Sequence, residues 1–139
     1  MYLNNCLYNY RINENSSTNK LDANASLEWF NNNIAVLDYI SNNLKEYREK
    51  IKNIKFTRLC VVLRVLCKTP KITYKKFEKY SIKILEDFYN EVPKDSIDIN
   101  SIEFTRKVDK IRAKMVLNNQ LRSFYNIARL ERVVLKFIR

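Results

Sequence analysis

From Ser26 onward, apolar residues return at every third or fourth position: Leu27, Phe30, Ile34, Leu37, Ile40, Leu44, Tyr47, Ile51 and Ile54. That spacing predicts an amphipathic helix with Ser26 as its N-cap. Trp29 adds a large anchor beside the stripe, and Lys45, Arg48, Glu49 and Lys50 supply the solvated face. Asn53 is the expected break. Thr57 to Cys67 reads as a second, shorter helix. Its run Cys60-Val61-Val62-Leu63 is apolar nearly all round, which suits the buried centre of a bundle. The β-prone valines leave a strand as the alternative, but the helical periods on both sides favour a helix. Pro70 stops it, because the residue before a proline avoids the helical region.

A third helix should start at Thr73. This residue can cap, and Ile72 and Phe77 flank it as a hydrophobic staple. Phe77, Tyr80, Ile84, Leu85 and Phe88 form its apolar face, and Pro93 ends the segment. Glu91 to Ser101 reads as a loop. Asn100 with Glu103 resembles a capping box, and Ile99 with Phe104 repeats the staple. A long helical region is expected from Ser101 to the C-terminus. Phe104, Val108, Ile111 and Met115 form one apolar row, and Leu117, Leu121, Phe124 and Ala128 a shifted one. The change of row predicts a break at Asn118-Asn119.

These segments predict an all-α fold: a compact bundle of four to five helices over residues 26–139. Residues 1–25 read as a polar, Asn-rich N-terminal arm. Tyr2, Leu3, Leu7, Tyr8 and Tyr10 are its candidate anchors on a protein partner, together with Trp29 of the first helix.

Composition narrows the chemistry. The 139 residues include no Gly and no His. Without Gly, a phosphate-cradling loop or dinucleotide fingerprint has no residue for its tight turns. Without His, Ser-His-Asp and Cys-His catalysis and the commonest zinc ligand are absent. With 18 Asn and 5 Ala, and with Lys, Ile and Tyr frequent, the composition also fits an AT-rich genome. Cys6, Cys60 and Cys67 form no CxxC pair, which suits an intracellular, reducing compartment. Residues 1–24 lack a basic region followed by an apolar run, so no signal peptide is expected. The apolar run Leu59–Leu63 is too short to span a membrane.

Charge changes the picture more. Lys and Arg total 26 against 15 Asp and Glu, a net charge of +11. Residues 1–50 carry a net −1 and residues 51–139 a net +12, so an anionic partner should meet the latter part. Three basic rows stand at helical spacing there. They are Lys75, Lys79 and Lys83; then Lys107, Lys110 and Lys114, with Arg122 beyond; then Arg129, Arg132, Lys136 and Arg139. Such rows can neutralise phosphates, and Tyr125 stands where a base could stack. A solvated Lys face is the ordinary alternative. Asp95 and Asp98 lack the further oxygen ligands that a cation needs. No cofactor or metal is expected, and no spacing assembles a catalytic group.

Leu63-Arg64, Leu66, Lys68 and Pro70, followed by Phe77, Ile82-Lys83 and Leu85-Glu86-Asp87, resemble the opening helices of a subunit of GINS, the eukaryotic replication complex, of the Psf-one type. Ile102 and Phe104 before a basic helix with Arg112, Lys114 and Arg122 resemble its next part, and Glu28-Trp29-Phe30-Asn31-Asn32 a later helix. That later helix comes first here, and no small β domain is present. The resemblance implies a non-enzymatic scaffold in DNA replication.

The expectation from the residues is therefore a non-enzymatic binding or assembly subunit. Its arm and apolar faces would dock a protein, and its basic rows would face nucleic acid or an acidic protein surface. The alternative is a small viral or parasite effector that inhibits a host protein through a helical surface.

Overall fold

The computed structural model describes residues 22–138, and these form an all-α fold. Five α-helices follow in order: α1 (Ala23–Asn43), α2 (Arg48–Lys68), α3 (Tyr74–Glu91), α4 (Lys107–Leu117) and α5 (Leu121–Ile138). Single 3-10 turns sit at Lys45–Tyr47, Lys94–Ser96 and Ile99–Ser101. The arm residues Tyr2, Leu3, Leu7, Tyr8 and Tyr10 and the terminal Arg139 lie outside the described residues. No described helix is long and apolar enough to cross a membrane.

α2 touches all four other helices. Phe56, Leu59, Val62, Leu63, Leu66 and Cys67 along it are fully buried. Each large apolar side chain so removed from water contributes roughly 1.5–3 kcal/mol before entropy is counted. The apolar run at Cys60–Leu63 thus lies on the central helix, with Val62 and Leu63 fully buried and Cys60 and Val61 partly so. α1 lies against α2, joined by an ion pair between the buried Lys55 and Asp38. α3 packs on α5 through Phe77 and Phe124, whose rings stack with centroids 6.3 Å apart.

The third helix starts where its sequence places it. The Thr73 hydroxyl accepts from the Lys76 N–H at 3.4 Å, and the staple residues Ile72 and Phe77 are both buried. α2 ends two residues before Pro70 and α3 two before Pro93.

Three boundaries differ from the periodicity. α1 starts at Ala23, inside the segment read as an arm. Asp22 caps it by accepting from the Asn24 N–H, while Ser26 Oγ donates back to the Asp22 carbonyl. The stripe from Leu27 to Ile54 does not lie on one helix: the chain turns at Leu44–Tyr47 rather than at Asn53. Residues on both sides of a tight turn can keep a three-four spacing, so the period alone hides the reversal. The turn falls after Asn42-Asn43, where the Asn43 amide donates to the Tyr39 carbonyl at 2.7 Å. Asn competes with the helical backbone in this way and favours helix ends.

The helix expected from Ser101 begins only at Lys107. The Asp98 carboxylate accepts from the Asn100 N–H, so it closes a 3-10 turn where a capping box was expected. The segment between α3 and α4 then buries Val92, Ile97, Ile99 and Ile102. It is a strap held by its own apolar residues.

α4 ends at the expected Asn118-Asn119 break. The Gln120 N–H donates to the Met115 carbonyl at 2.8 Å, and the Asn119 N–H to the Val116 carbonyl at 3.1 Å. This is a Schellman closure, with Asn119 at φ 55° in the position that usually takes glycine. In a chain without Gly, Asn serves because its short side chain tolerates the left-handed region. Replacing Asn119 with Ala should lower unfolding stability by about 1 kcal/mol, whereas Asn119→Gly should leave it equal or higher. Urea denaturation of the three proteins checks this, and equal midpoints for Ala and Asn would refute it.

Candidate basic interface and the ion cluster behind it

The basic rows depend on which side of its helix each charge occupies. On α4, Arg112, Ala113 and Val116 face inward and are buried. Lys107, Ile111 and Lys114 are exposed, and Lys110 is half-exposed. Ile111, expected in an apolar row, is 50% exposed, while Arg112, one position on, is 2% exposed. This inverts the inner face expected for that turn. An arginine takes the inside because two carboxylates wait there.

Those carboxylates are Asp109 on α4 and Glu131 on α5. Arg112 donates to Asp109 Oδ1 at 3.0 Å, and its other terminal nitrogen lies 3.1 Å from Glu131 Oε2. Arg106 grips Asp109 with two nitrogens, at 2.9 and 3.0 Å, and reaches Glu131 Oε1 at 3.1 Å. Lys68 of α2 lies 2.8 Å from Glu131 Oε2, and Arg64 of α2 lies 3.5 Å from Asp109 Oδ1. Four cations from three parts of the chain thus share two carboxylates, an excess of two positive charges.

Burial by itself raises the pKa of the Asp109 carboxyl. The hydrogen bonds and charge of Arg106, the Arg112 hydrogen bond and the Arg64 charge outweigh it and hold the group below its ordinary 3.8. Glu131 behaves alike: burial raises it, but Lys68, Arg112 and Arg64 bring it below its ordinary 4.5. The Asp109 hydrogen bond in turn raises Arg106. Periodicity misses this cluster because it treats every Arg and Lys as solvated. One signal was present: Glu131 is the one acid after Asp109 in a run dense with Lys and Arg.

The other predicted rows divide. Lys75, Lys79 and Lys83 are all exposed on α3, and like the α4 lysines they form no ion pair among the described residues. Arg122 is exposed with its guanidinium 5.1 Å from the Tyr74 ring centre. Arg129 turns inward. It donates to the Cys67 carbonyl at 3.4 Å and lies over the Tyr125 ring, so it closes the C-terminal end of α2. Tyr125, expected near a base, is half-buried against Phe77 and Tyr74, and its hydroxyl donates to the Ile72 carbonyl at 3.0 Å. The side chains of Arg132 and Lys136 are outside the described part of α5.

Trp29 is 41% exposed on α1, beneath the Arg58 guanidinium at 5.8 Å. Val36 and Tyr39 on the same helix are 59% and 71% exposed. On α5, Leu130, Val133 and Val134 are also exposed. Cys60 and Cys67 are free thiols, and burial pushes each pKa up to about 12, which leaves them poor nucleophiles at neutral pH.

A groove of about 740 Å³ runs between α3 and the start of α5, with Glu78 and Glu86 on its wall. A smaller cavity of about 190 Å³ lies between α2 and the strap leading into α4, with Arg64, Asp109 and Arg112 on its wall. No known family model, curated protein or solved structure matches the chain.

The lowered carboxyls set a pH dependence. Groups with depressed folded pKa values stabilise the fold above their unfolded pKa and lose that contribution as pH falls through the folded values. Acid unfolding should therefore steepen below about pH 4. Glu131→Gln should destabilise by about 2 kcal/mol at pH 7, since the four cations then share one carboxylate in place of two. It should also show a shallower loss of stability between about pH 4 and 2. Thermal melts across that range check both statements, and a parallel pH profile would refute the second.

Proposed function

We propose that the protein is a non-enzymatic binding or assembly subunit whose lysine faces on α4 and α3 meet an anionic partner, nucleic acid or an acidic protein surface. The observation that carries this reading is the fate of the one carboxylate on α4. Asp109 turns inward onto Arg106 and Arg112, so Lys107, Lys110 and Lys114 face outward with no acid of their own helix beside them. The exposed lysines of α3 add a second face of the same sign. The buried thiols and the lack of His supply no poised nucleophile or base, in keeping with a binding role. A reducing, intracellular setting suits the two free thiols. A replication scaffold, as the GINS resemblance implies, is a special case of the same reading.

A second reading rests on Trp29, Val36 and Tyr39. Trp and Tyr are the side chains that dominate protein interfaces, and here they stand exposed on one helix with Arg58 beside them. An effector that docks a host protein would use that face.

Fluorescence anisotropy with a labelled DNA oligonucleotide, and with a polyglutamate chain, discriminates the two. Each lysine that neutralises a duplex phosphate contributes about 0.9 to the slope of log affinity against log salt. The α4 face alone should then give a slope near ~3. Joint Lys107→Glu, Lys110→Glu and Lys114→Glu substitution should weaken binding at least about tenfold, and Trp29→Ala with Tyr39→Ala should not. Salt-insensitive binding, or binding to neither polyanion, sinks the first reading and leaves the α1 face.

A further inference from the structure

We propose that copies of the chain associate head to tail: the exposed apolar end of α5 in one copy seats in an acidic groove between α1 and α3 of the next. The contact uses neither the outward lysines nor an anionic ligand, and it does not depend on the function proposed for them.

The groove has the sign opposite to the chain. α1 and α3 both pack on α2 and leave about 250 Å³ between them. Phe30 and Ile34 of α1 and Ile84 and Phe88 of α3 give this space an apolar floor. Asp38, Asp87 and Glu91 also line it, and no Lys or Arg does. Lys55 of α2 meets Asp38 and Glu91 from behind, so three carboxylates stand against one ammonium and two negative charges remain. Asp87 and Glu91 are exposed at the rim, where a partner can reach them. Lys83, one turn before Asp87 on α3, is also exposed and makes no ion pair with it. On a chain of net charge +11, this is a place that an apolar surface with positive charge can approach.

The same chain carries such a surface. Leu130, Val133 and Val134 of α5 are each more than half exposed. The acid of this stretch, Glu131, is already held by Lys68, Arg106 and Arg112. The sequence beyond it adds Arg132, Lys136 and Arg139 and no acid. The two surfaces do not meet within one copy. The groove lies beside Lys55 and the α5 end beside Lys68, a separation of about 20 Å along α2 at 1.5 Å per residue. Two α5 ends facing each other would bring like charges together. Contact between unlike surfaces of two copies avoids this, and such a heterologous contact repeats unless its rotation closes a ring. The net charge of +11 opposes association, but at about 0.15 M salt charges more than about 8 Å apart are largely screened, whereas pairs in contact still attract.

Analytical ultracentrifugation of the full, nuclease-treated chain at that ionic strength tests this. The average mass should pass that of a dimer as the concentration rises through about 10 to 100 µM, as for a small interface. Asp87→Lys with Glu91→Lys should leave monomers, and so should Val133→Asp with Val134→Asp. All four positions are exposed, so the fold is not at stake in either variant. Mixed together, the two variants keep one intact surface each and should form a pair that grows no further. A chain that stays monomeric at every concentration overturns the proposal and leaves the groove to another occupant, residues 1–21 or a basic partner protein. A dimer that the groove variant does not disturb, or two variants that fail to pair when mixed, overturns it as well.

Discussion

Arg112 occupies a position on α4 where an apolar residue would normally sit, and its charge is almost wholly removed from water. An isolated guanidinium there would carry a desolvation penalty of several kcal/mol, so the fold must bring anions to it. Asp109 comes from the preceding turn of the same helix, and Glu131 from α5. Each carboxylate then needs more positive charge than Arg112 alone supplies. Arg106 straddles both, and Lys68 and Arg64 arrive from α2. The requirement propagates: one buried charge fixes how α2, α4 and α5 meet. The same helices also share an apolar layer that includes Ala113, Val116, Phe124 and Ala128.

The same requirement shapes the outside. Drawing Asp109 and Glu131 inward removes them from a surface where they would otherwise screen the lysines. On α2, Glu49 stays outside and pairs with Lys52 at 2.8 Å, the ordinary arrangement for a solvated helix. On α4 the one acid, Asp109, pairs with the cap residue Arg106 and the buried Arg112 and not with a lysine. The outward side of α4 is a row of lysines around an exposed isoleucine. Internal electrostatics and surface field are one property here, because the acids that hold the interior are those missing from the exterior.

How far the sequence carried this depends on the kind of signal. Thr73 with its staple, the two proline stops, the apolar run of α2 and the Asn118-Asn119 break were all legible, because each rests on local chemistry that tertiary contacts do not override. The reversal at Leu44–Tyr47 was not, since both helices keep their apolar residues in phase across it. Nor was the late start of α4. Asp98 competes for the backbone three residues before Ser101 and turns the expected cap into a 3-10 turn. At the candidate site, the α3 and α4 lysines stand outward as their spacing implies. Arg129 and Tyr125 do not serve as free contacts, because the end of α2 and its connection to α3 have carbonyls that need donors. No rule of spacing reveals a partner 62 residues away.

This bears on what the net charge of +11 means. In a chain whose composition is biased toward Lys and Asn, an excess of lysine is not by itself evidence of an anionic partner. Composition sets how many lysines there are, but not where the acids go. Had the acids been scattered by the same bias, surface pairs like Lys52–Glu49 would recur and the local field would largely cancel within a Debye length of about 8–10 Å. On α4 the one acid is instead committed both to the exposed Arg106 and to the buried Arg112. The segregation of charge is therefore a property of the fold that composition alone does not produce.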